Sequence, residues 1–186
     1  QHLNIIELIA YSIFLIWIIN TFNFIDGADG LLASNCSLLS LVLSFFFYIS
    51  DNTSLSLVTL ALSFTSFGFL KLNWAPAKIF MGDSGSLFFG SIFVVIMNGS
   101  INQEIISIWT WLIVFAYFLT DTTTTTFLRL CLVKGWYRPH RSHAYQNLAR
   151  VLDSHKFVTS LITGINVFYI LPLAYLSIQY QQYDWL

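Results

Sequence analysis

Six long apolar segments leave this chain few ways to fold. They cover about residues 3–20, 31–50, 54–72, 85–98, 105–128 and 157–178, close to the roughly 17–25 residues a helix needs to cross a bilayer's hydrocarbon core. The runs are uniformly apolar rather than alternating, which favours helices over a barrel. Only 9% of the 186 residues are charged and 56% are hydrophobic, whereas an ordinary soluble domain is about a quarter charged. The expected fold is therefore all-α: a polytopic membrane protein of about six transmembrane helices, with residues 1–186 forming a single transmembrane domain. The short fourth segment reads as tilted or as sharing residues with the loop before it. The fifth turns polar through Thr122–Thr126, which a helix end tolerates because Thr hydroxyls bond back to carbonyls one turn earlier. Cys36 and Cys131 read as small core residues, with neither metal spacing nor a disulfide framework. The sequence opens on Gln1 with no basic n-region or cleavage site, so no signal peptide is expected; this start reads as the interior of a longer protein, or as a processed or truncated one.

The net charge of −1 says nothing about partners, but the placement of the charges does. All Lys and Arg, namely Lys71, Lys78, Arg129, Lys134, Arg138, Arg141, Arg150 and Lys156, lie at or near the connections after the third and fifth segments. Six crossings place those two connections, and the one after the first segment, on the same face. The opposite connections hold Asp51 and Glu104 without Lys or Arg. The positive-inside rule then makes loops 20–30, 73–84 and 129–156 cytoplasmic and both termini external.

The first of these loops, Asn20-Thr-Phe-Asn23-Phe-Ile-Asp26-Gly27-Ala-Asp29-Gly30-Leu31, holds two amides and two carboxylates at three-residue spacing. Polar groups of this kind beside a membrane helix are costly and mark a site by default. Asp26 and Asp29 suit one face of a helical turn. The structural alternative is a turn in which Asp29 caps the next helix. In the second loop Pro76 stops any continuing helix, and Gly82-Asp83-Ser84-Gly85-Ser86 opens the fourth segment. Backbone N–H groups there suit phosphate, and Asp83 suits Mg²⁺, which takes one or two carboxylates and completes its shell with phosphates and water. The alternative is again an Asp or Ser cap. The third loop places His140 and His143 at i,i+3, on one face if helical, as contacts to phosphate or as acid–base groups; two His are too few for zinc. Its alternative is an amphipathic interfacial segment with Trp136, Tyr137 and Tyr145 at the headgroups. Asp121 faces the same cavity or caps the Thr run; Glu7 and Asp153 read as solvated or locally paired.

One face thus offers carboxylates, amides, helix N-termini, His and Arg against lipid. Phosphoryl transfer between a polyanionic soluble substrate and a lipid phosphate is the natural chemistry, since it needs positioning and charge neutralisation above all. The motifs resemble those of the polyprenyl-phosphate N-acetylhexosamine-1-phosphate transferases (glycosyl transferase family 4), which include phospho-MurNAc-pentapeptide translocase and the enzymes priming O-antigen and enterobacterial common antigen. Asn-x-x-Asn-x-x-Asp-Gly-x-Asp-Gly-Leu is matched from Asn20 to Leu31, and Phe-Met-Gly-Asp-x-Gly-Ser from Phe80 to Ser86. His140-Arg-Ser-His143-Ala-Tyr-Gln146 looks like the O-antigen-priming branch and lacks the three-His run of the peptidoglycan enzyme.

The resemblance implies attack by undecaprenyl phosphate on the β-phosphorus of a UDP-N-acetylhexosamine, releasing UMP, as the priming step of lipopolysaccharide or other cell-wall polysaccharide synthesis. It implies a multi-pass protein of the bacterial inner membrane, Mg²⁺ (or Mn²⁺) as cofactor and no nucleic-acid partner, and it leaves a homodimer open. It makes Asp83 the metal ligand and, with Asp26, His140 and His143, the catalytic set. Asn20, Asn23, Asp29, Gly82, Ser84 and Arg141 are the substrate-binding set. Asp121 matches an acidic position of this branch. Relative to the family's ten or eleven spans, this chain corresponds to the C-terminal half, and the Asp-Asp pair of the earlier spans does not occur in the sequence. An inactive fragment or split subunit is therefore the alternative reading. A secondary transporter using Asp26, Asp29 and Asp121 is a distant one.

Overall fold

The computed structural model describes residues 4–134, 137–138 and 140–180; these form helices and connections, with no strand among them. The helices are α1 (Ile5–Ile25), α2 (Leu31–Ile49), α3 (Thr53–Asn73), α4 (Gly82–Asn102), α5 (Ile108–Val114), α6 (Ala116–Leu132), α7 (Ala144–Leu152), α8 (His155–Ile165) and α9 (Leu171–Gln179). Five stretches are single helices long and apolar enough to cross a membrane: α1, α2, α3, α4 and the α8–α9 unit. The protein is an all-α, multi-pass membrane protein.

The fifth expected span is divided at Phe115, between α5 and α6. The hydrogen-bond ladder still crosses the division, because Phe115 N–H donates to Trp111 O and Phe115 O accepts from Leu119 N–H. The ring of Phe115 fills the junction of three helices. It packs edge-on to Phe22 of α1 and Phe93 of α4, and Phe22 also meets Phe118. The last span passes through a π-helical turn, Asn166–Ile170, just before Pro172. Proline lacks the N–H and clashes with the carbonyl four residues back, and the wider turn absorbs both.

Helices α2 and α3 are joined by a serine seam. Ser37 and Ser63 each donate their hydroxyl to the other's carbonyl, and Ser44 and Ser56 do the same one heptad away. Ser66 donates to Ala33 O. Small residues let the two backbones approach, and where no water competes the hydroxyls supply the attraction that apolar burial cannot. We expect Ser63→Leu to overfill this seam and destabilise the fold by about 1–3 kcal/mol, read as a lower unfolding temperature in bicelles.

The polar ends of the bundle separate cleanly. At one end the 50–52 and 103–107 connections meet, with Asn52 donating to Gln103 at 3.2 Å. At the other end lie the connections after α1, α3 and α6, as six alternating crossings require. Three boundaries differ from expectation. Helix α1 runs on to Ile25, so Asn20 and Asn23 are helical rather than part of a loop, and Asn20 donates to Ile16 O within its own helix. Helix α4 begins at Gly82 and extends to Asn102, so its span is not short. Cys36 is buried in the core, but Cys131 is exposed on α6; both are free.

Candidate active site

The site begins where α1 stops. Asp26 closes the helix, its N–H on Asn23 O. Its carboxyl takes a hydrogen bond from the Gly82 backbone at the start of α4. Burial, opposed by that bond and assisted by the neighbouring charge of Asp83, pushes its pKa up to about 6. One turn back, Asn23 Oδ1 accepts from Ser86 of α4 at 3.0 Å. One turn further back, Gly90 lies against the Ile19 backbone; a Cβ there would sit 2.9 Å from Ile19 O. Close packing of α1 on α4 therefore sets how near Asp26 comes to Asp83.

Gly27 has no room for a side chain: a Cβ would lie 2.2 Å from the Tyr145 hydroxyl and 2.8 Å from Gln146 Nε2. Tyr145, 1% exposed, donates to Phe24 O at 2.8 Å and so seats α7 on the end of α1. Tyr145 is thus a packing residue, not a headgroup aromatic, and burial raises its pKa. Tyr137 is exposed, while Trp136 lies outside the described residues.

Asp29 fastens the connections together. Its Oδ2 accepts Ala77 N–H at 3.0 Å, its carbonyl accepts the Thr159 hydroxyl at 2.8 Å, and its Oδ1 faces His155 Nδ1 at 3.4 Å. It does not cap α2, whose first residue is preceded by Gly30 with no side-chain cap. Gly30 N–H donates instead to Asn73 at the end of α3. Likewise neither Asp83 nor Ser84 caps α4, which Met81 precedes without a side-chain bond. Asp83 stands exposed on the first turn, and its carboxylate makes no hydrogen bond among the described residues.

His140 and His143 precede α7 rather than lying on a helix; His143 is the residue before Ala144. They are nevertheless brought together by ring stacking, 5.2 Å between centroids, and His143 stacks further on Phe24 and Tyr145. Burial first, and then the Arg129 charge, pushes His140 below its ordinary pKa. Burial also lowers His143, against the raising effect of Asp121.

Two clefts open side by side and share Asp26, Gly27, Phe80 and Gln146 as a common wall. The first, about 800 Å³, is lined further by Asp29, Asn73, Arg141, Arg150, His155 and Lys156. The second, about 690 Å³, is lined by Asn23, Gly82, Asp83, Arg129, Arg138, His140 and His143. Of the residues expected from sequence, Asp26, Asp83, Asn23, Gly82, His140 and His143 meet in the second cleft, and Asp29 and Arg141 in the first. Asn20 and Ser84 line neither: Asn20 is spent on its own helix, and Ser84 is exposed on α4. Sequence reasoning missed Tyr145, Gln146, Asn73 and His155. His155 had a legible signal as a further imidazole closing the basic loop. Tyr145 and Gln146 stood in the His140–Gln146 stretch without a site role of their own, and Asn73 carries no signal, because its bond to Gly30 N–H joins segments distant in the chain.

No group of three or more His, Cys, Asp or Glu capable of holding a metal occurs among the described residues. Asp83 and Asp26 nonetheless fit Mg²⁺, which needs only one or two carboxylates when phosphate and water complete its shell. The raised pKa of the half-buried Asp26 has a consequence for stability. Its carboxyl binds a proton more tightly folded than unfolded, so ionising it opposes folding as pH rises from about 4 through about 6. With divalent cations chelated, Asp26→Asn is expected to raise the unfolding temperature above pH 6 and to leave it unchanged near pH 4. Thermal scans across that range check the sign.

A multi-pass helical bundle with two polar clefts at one end, rich in carboxylate, imidazole and guanidinium, defines a membrane-embedded enzyme-like site. The sequence model of glycosyl transferase family 4 matches residues 1–101, and the chain belongs to that family. It is 35% identical over 162 residues to a probable undecaprenyl-phosphate N-acetylglucosaminyl 1-phosphate transferase of Bacillus subtilis, covering 82% of this chain and 44% of the relative. It is 41% identical over 102 residues to a phospho-N-acetylmuramoyl-pentapeptide-transferase of Staphylococcus saprophyticus, covering 52% and 31%. A Streptococcus pneumoniae protein of the latter name is 32% identical over 123 residues, covering 66% and 36%. The chain spans less than half the length of these curated relatives.

Proposed function

We propose that this chain carries the nucleotide-sugar side of a polyprenyl-phosphate N-acetylhexosamine-1-phosphate transferase. The observation that carries the reading is the second cleft, where two carboxylates, Asp26 and Asp83, face two stacked imidazoles and two guanidinium-bearing residues across a space open at the end of a membrane bundle. An oxygen of undecaprenyl phosphate attacks the β-phosphorus of a UDP-N-acetylhexosamine. The bond from that phosphorus to the bridging oxygen breaks, giving lipid-diphosphate-sugar and UMP. Asp83, with Asp26 beside it, would hold Mg²⁺, which when bound neutralises charge on the diphosphate. Arg138, His140 and His143 contact the same diphosphate from the opposite wall. The first cleft receives the nucleoside, with Asp29, Asn73 and Arg141 as its polar lining. Two of the three connections that build the clefts carry the Lys and Arg, which supports a cytoplasmic site at a bacterial inner membrane. The sugar as an O-antigen primer belongs to the same reading, through the His140–Gln146 stretch.

A second reading is that these clefts bind the donor without turning it over. Reconstituted chain, alone and co-expressed with the N-terminal portion of the Bacillus relative, is supplied with UDP-N-acetylglucosamine or a 6-deoxy analogue, undecaprenyl phosphate and Mg²⁺. UMP release from either preparation supports the transferase. Donor binding without UMP in both supports the second reading, and absence of donor binding rejects both.

A further inference from the structure

Among the described residues Asp121 is the only carboxylate inside a helix away from its ends, and it is 7% exposed. A buried carboxylate is costly unless partnered. Its Oδ1 is well satisfied, accepting Ala144 N–H at 2.7 Å and the Thr125 hydroxyl at 3.4 Å. Oδ2 is different. It is buried without a hydrogen bond and faces His143 Nδ1 at 3.9 Å, a nitrogen likewise buried and without one. The imidazole, 3% exposed, is clamped by the rings of Phe24, His140 and Tyr145. With Nδ1 turned to Asp121, Nε2 on the opposite edge is the nitrogen left for the second cleft, which His143 lines.

We propose that Asp121 is a positioning residue for His143, keeping a ring proton on Nδ1 so that Nε2 faces the second cleft as the nitrogen that takes up a proton and, once the ring is charged, donates to the diphosphate. Only the identity of the diphosphate rests on the transferase reading. The charged and titratable groups facing His143 are Asp121 and Arg129 from α6, His140 from the preceding connection and Tyr145 from α7; α1 contributes only Phe24. Burial, His140 and Arg129 all hold the imidazole neutral, and Asp121 alone opposes them. In a neutral ring the position of the single proton decides what Nε2 can do.

Asp121→Asn separates this role from simple helix capping. The amide oxygen still accepts Ala144 N–H, so α7 keeps its cap. The amide N–H₂ now faces Nδ1 and forces the ring proton to Nε2, the wrong tautomer at unchanged geometry. The test is nitrogen NMR of the chain in nanodiscs with ¹⁵N-labelled His, the His143 signal being assigned by its loss in His143→Gln. The expected result is a proton on Nδ1 at neutral pH in the wild type. In Asp121→Asn it sits on Nε2, and His143 titrates at lower pH. In any preparation that releases UMP, Asp121→Asn lowers kcat about 10²–10⁴-fold with little change in donor KM. A wild-type proton on Nε2 overturns the proposal whether or not the variant folds. So does an unchanged tautomer in Asp121→Asn, or a reversed tautomer with full kcat. Failure of the transferase reading would appear separately, as no UMP with the NMR result intact.

Discussion

Replacing Asp83 with Asn is expected to lower divalent-cation-dependent UMP release roughly 10³-fold while leaving the unfolding temperature unchanged. Both halves follow from where the side chain sits. Asp83 is exposed on the first turn of α4, caps nothing, and its carboxylate makes no hydrogen bond among the described residues. Its loss therefore removes no contact that holds the fold. Asn keeps the shape and the oxygen but not the charge that a hard cation requires. Asp26 is left as the single carboxylate beside the cation, and burial pushes its pKa up to about 6, which makes it the weaker ligand. Loss of the neighbouring Asp83 charge should also ease that elevation. Mn²⁺ binding followed by electron paramagnetic resonance, alongside UMP release against Mg²⁺ concentration, reads both effects. Turnover and cation dependence like those of the wild type would remove Asp83 from the metal site.

The second large effect is expected far from the polar end. Gly90→Val places methyl groups where α1 and α4 touch backbone to backbone; even a Cβ there would be 2.9 Å from Ile19 O and 3.0 Å from Ile19 Cα. Neither atom can rotate away, so the helices must separate. Overpacking of this kind costs about 1–3 kcal/mol. The consequence for the site is larger than that for stability, because the same helix pair carries Ile19 against Gly90, Asn23 against Ser86, and Asp26 against Gly82 on successive turns. Separation at the first level breaks the Ser86–Asn23 bond and withdraws the Gly82 N–H from Asp26. Mn²⁺ binding should weaken together with a lower unfolding temperature. Gly99→Val on the same helix, where a Cβ would meet nothing within 4 Å, is expected to do neither. Equal behaviour of the two variants would show that the α1–α4 contact does not set the site.

Much of this molecule was legible beforehand for a simple reason. A bilayer demands long apolar helices with internally satisfied backbones, so hydropathy alone located the spans to within a few residues. The parity of the crossings then grouped the three polar connections at one end, where the structure has them. The boundaries that slipped did so where polar side chains obey local rules rather than hydropathy. Asn20 bonds back to its own helix and carries α1 on to Ile25, and Phe115 divides a span for reasons of packing.

The site itself divides along the same line. Asp26, Asp29, Asp83 and the His pair announced themselves as polar residues beside lipid, a cost that composition makes visible. Which of them stay available was not visible. Asp29 is largely consumed in joining three connections, Asn20 and Ser84 point elsewhere, and the exposed carboxylate of Asp83 remains open to a ligand. Asp121 read equally well as a cavity residue or as a cap of the Thr run; in the structure it accepts the first N–H of α7 and faces His143 Nδ1 at 3.9 Å. The sequence alone determined the membrane fold, its crossing pattern and the family, since these depend on hydropathy and on short local motifs. The tertiary structure alone decided which polar groups are spent on holding the loops together and which face the clefts. That choice depends on hydrogen bonds between residues as far apart as Asp29 and Thr159, or Phe24 and Tyr145, which no local pattern encodes.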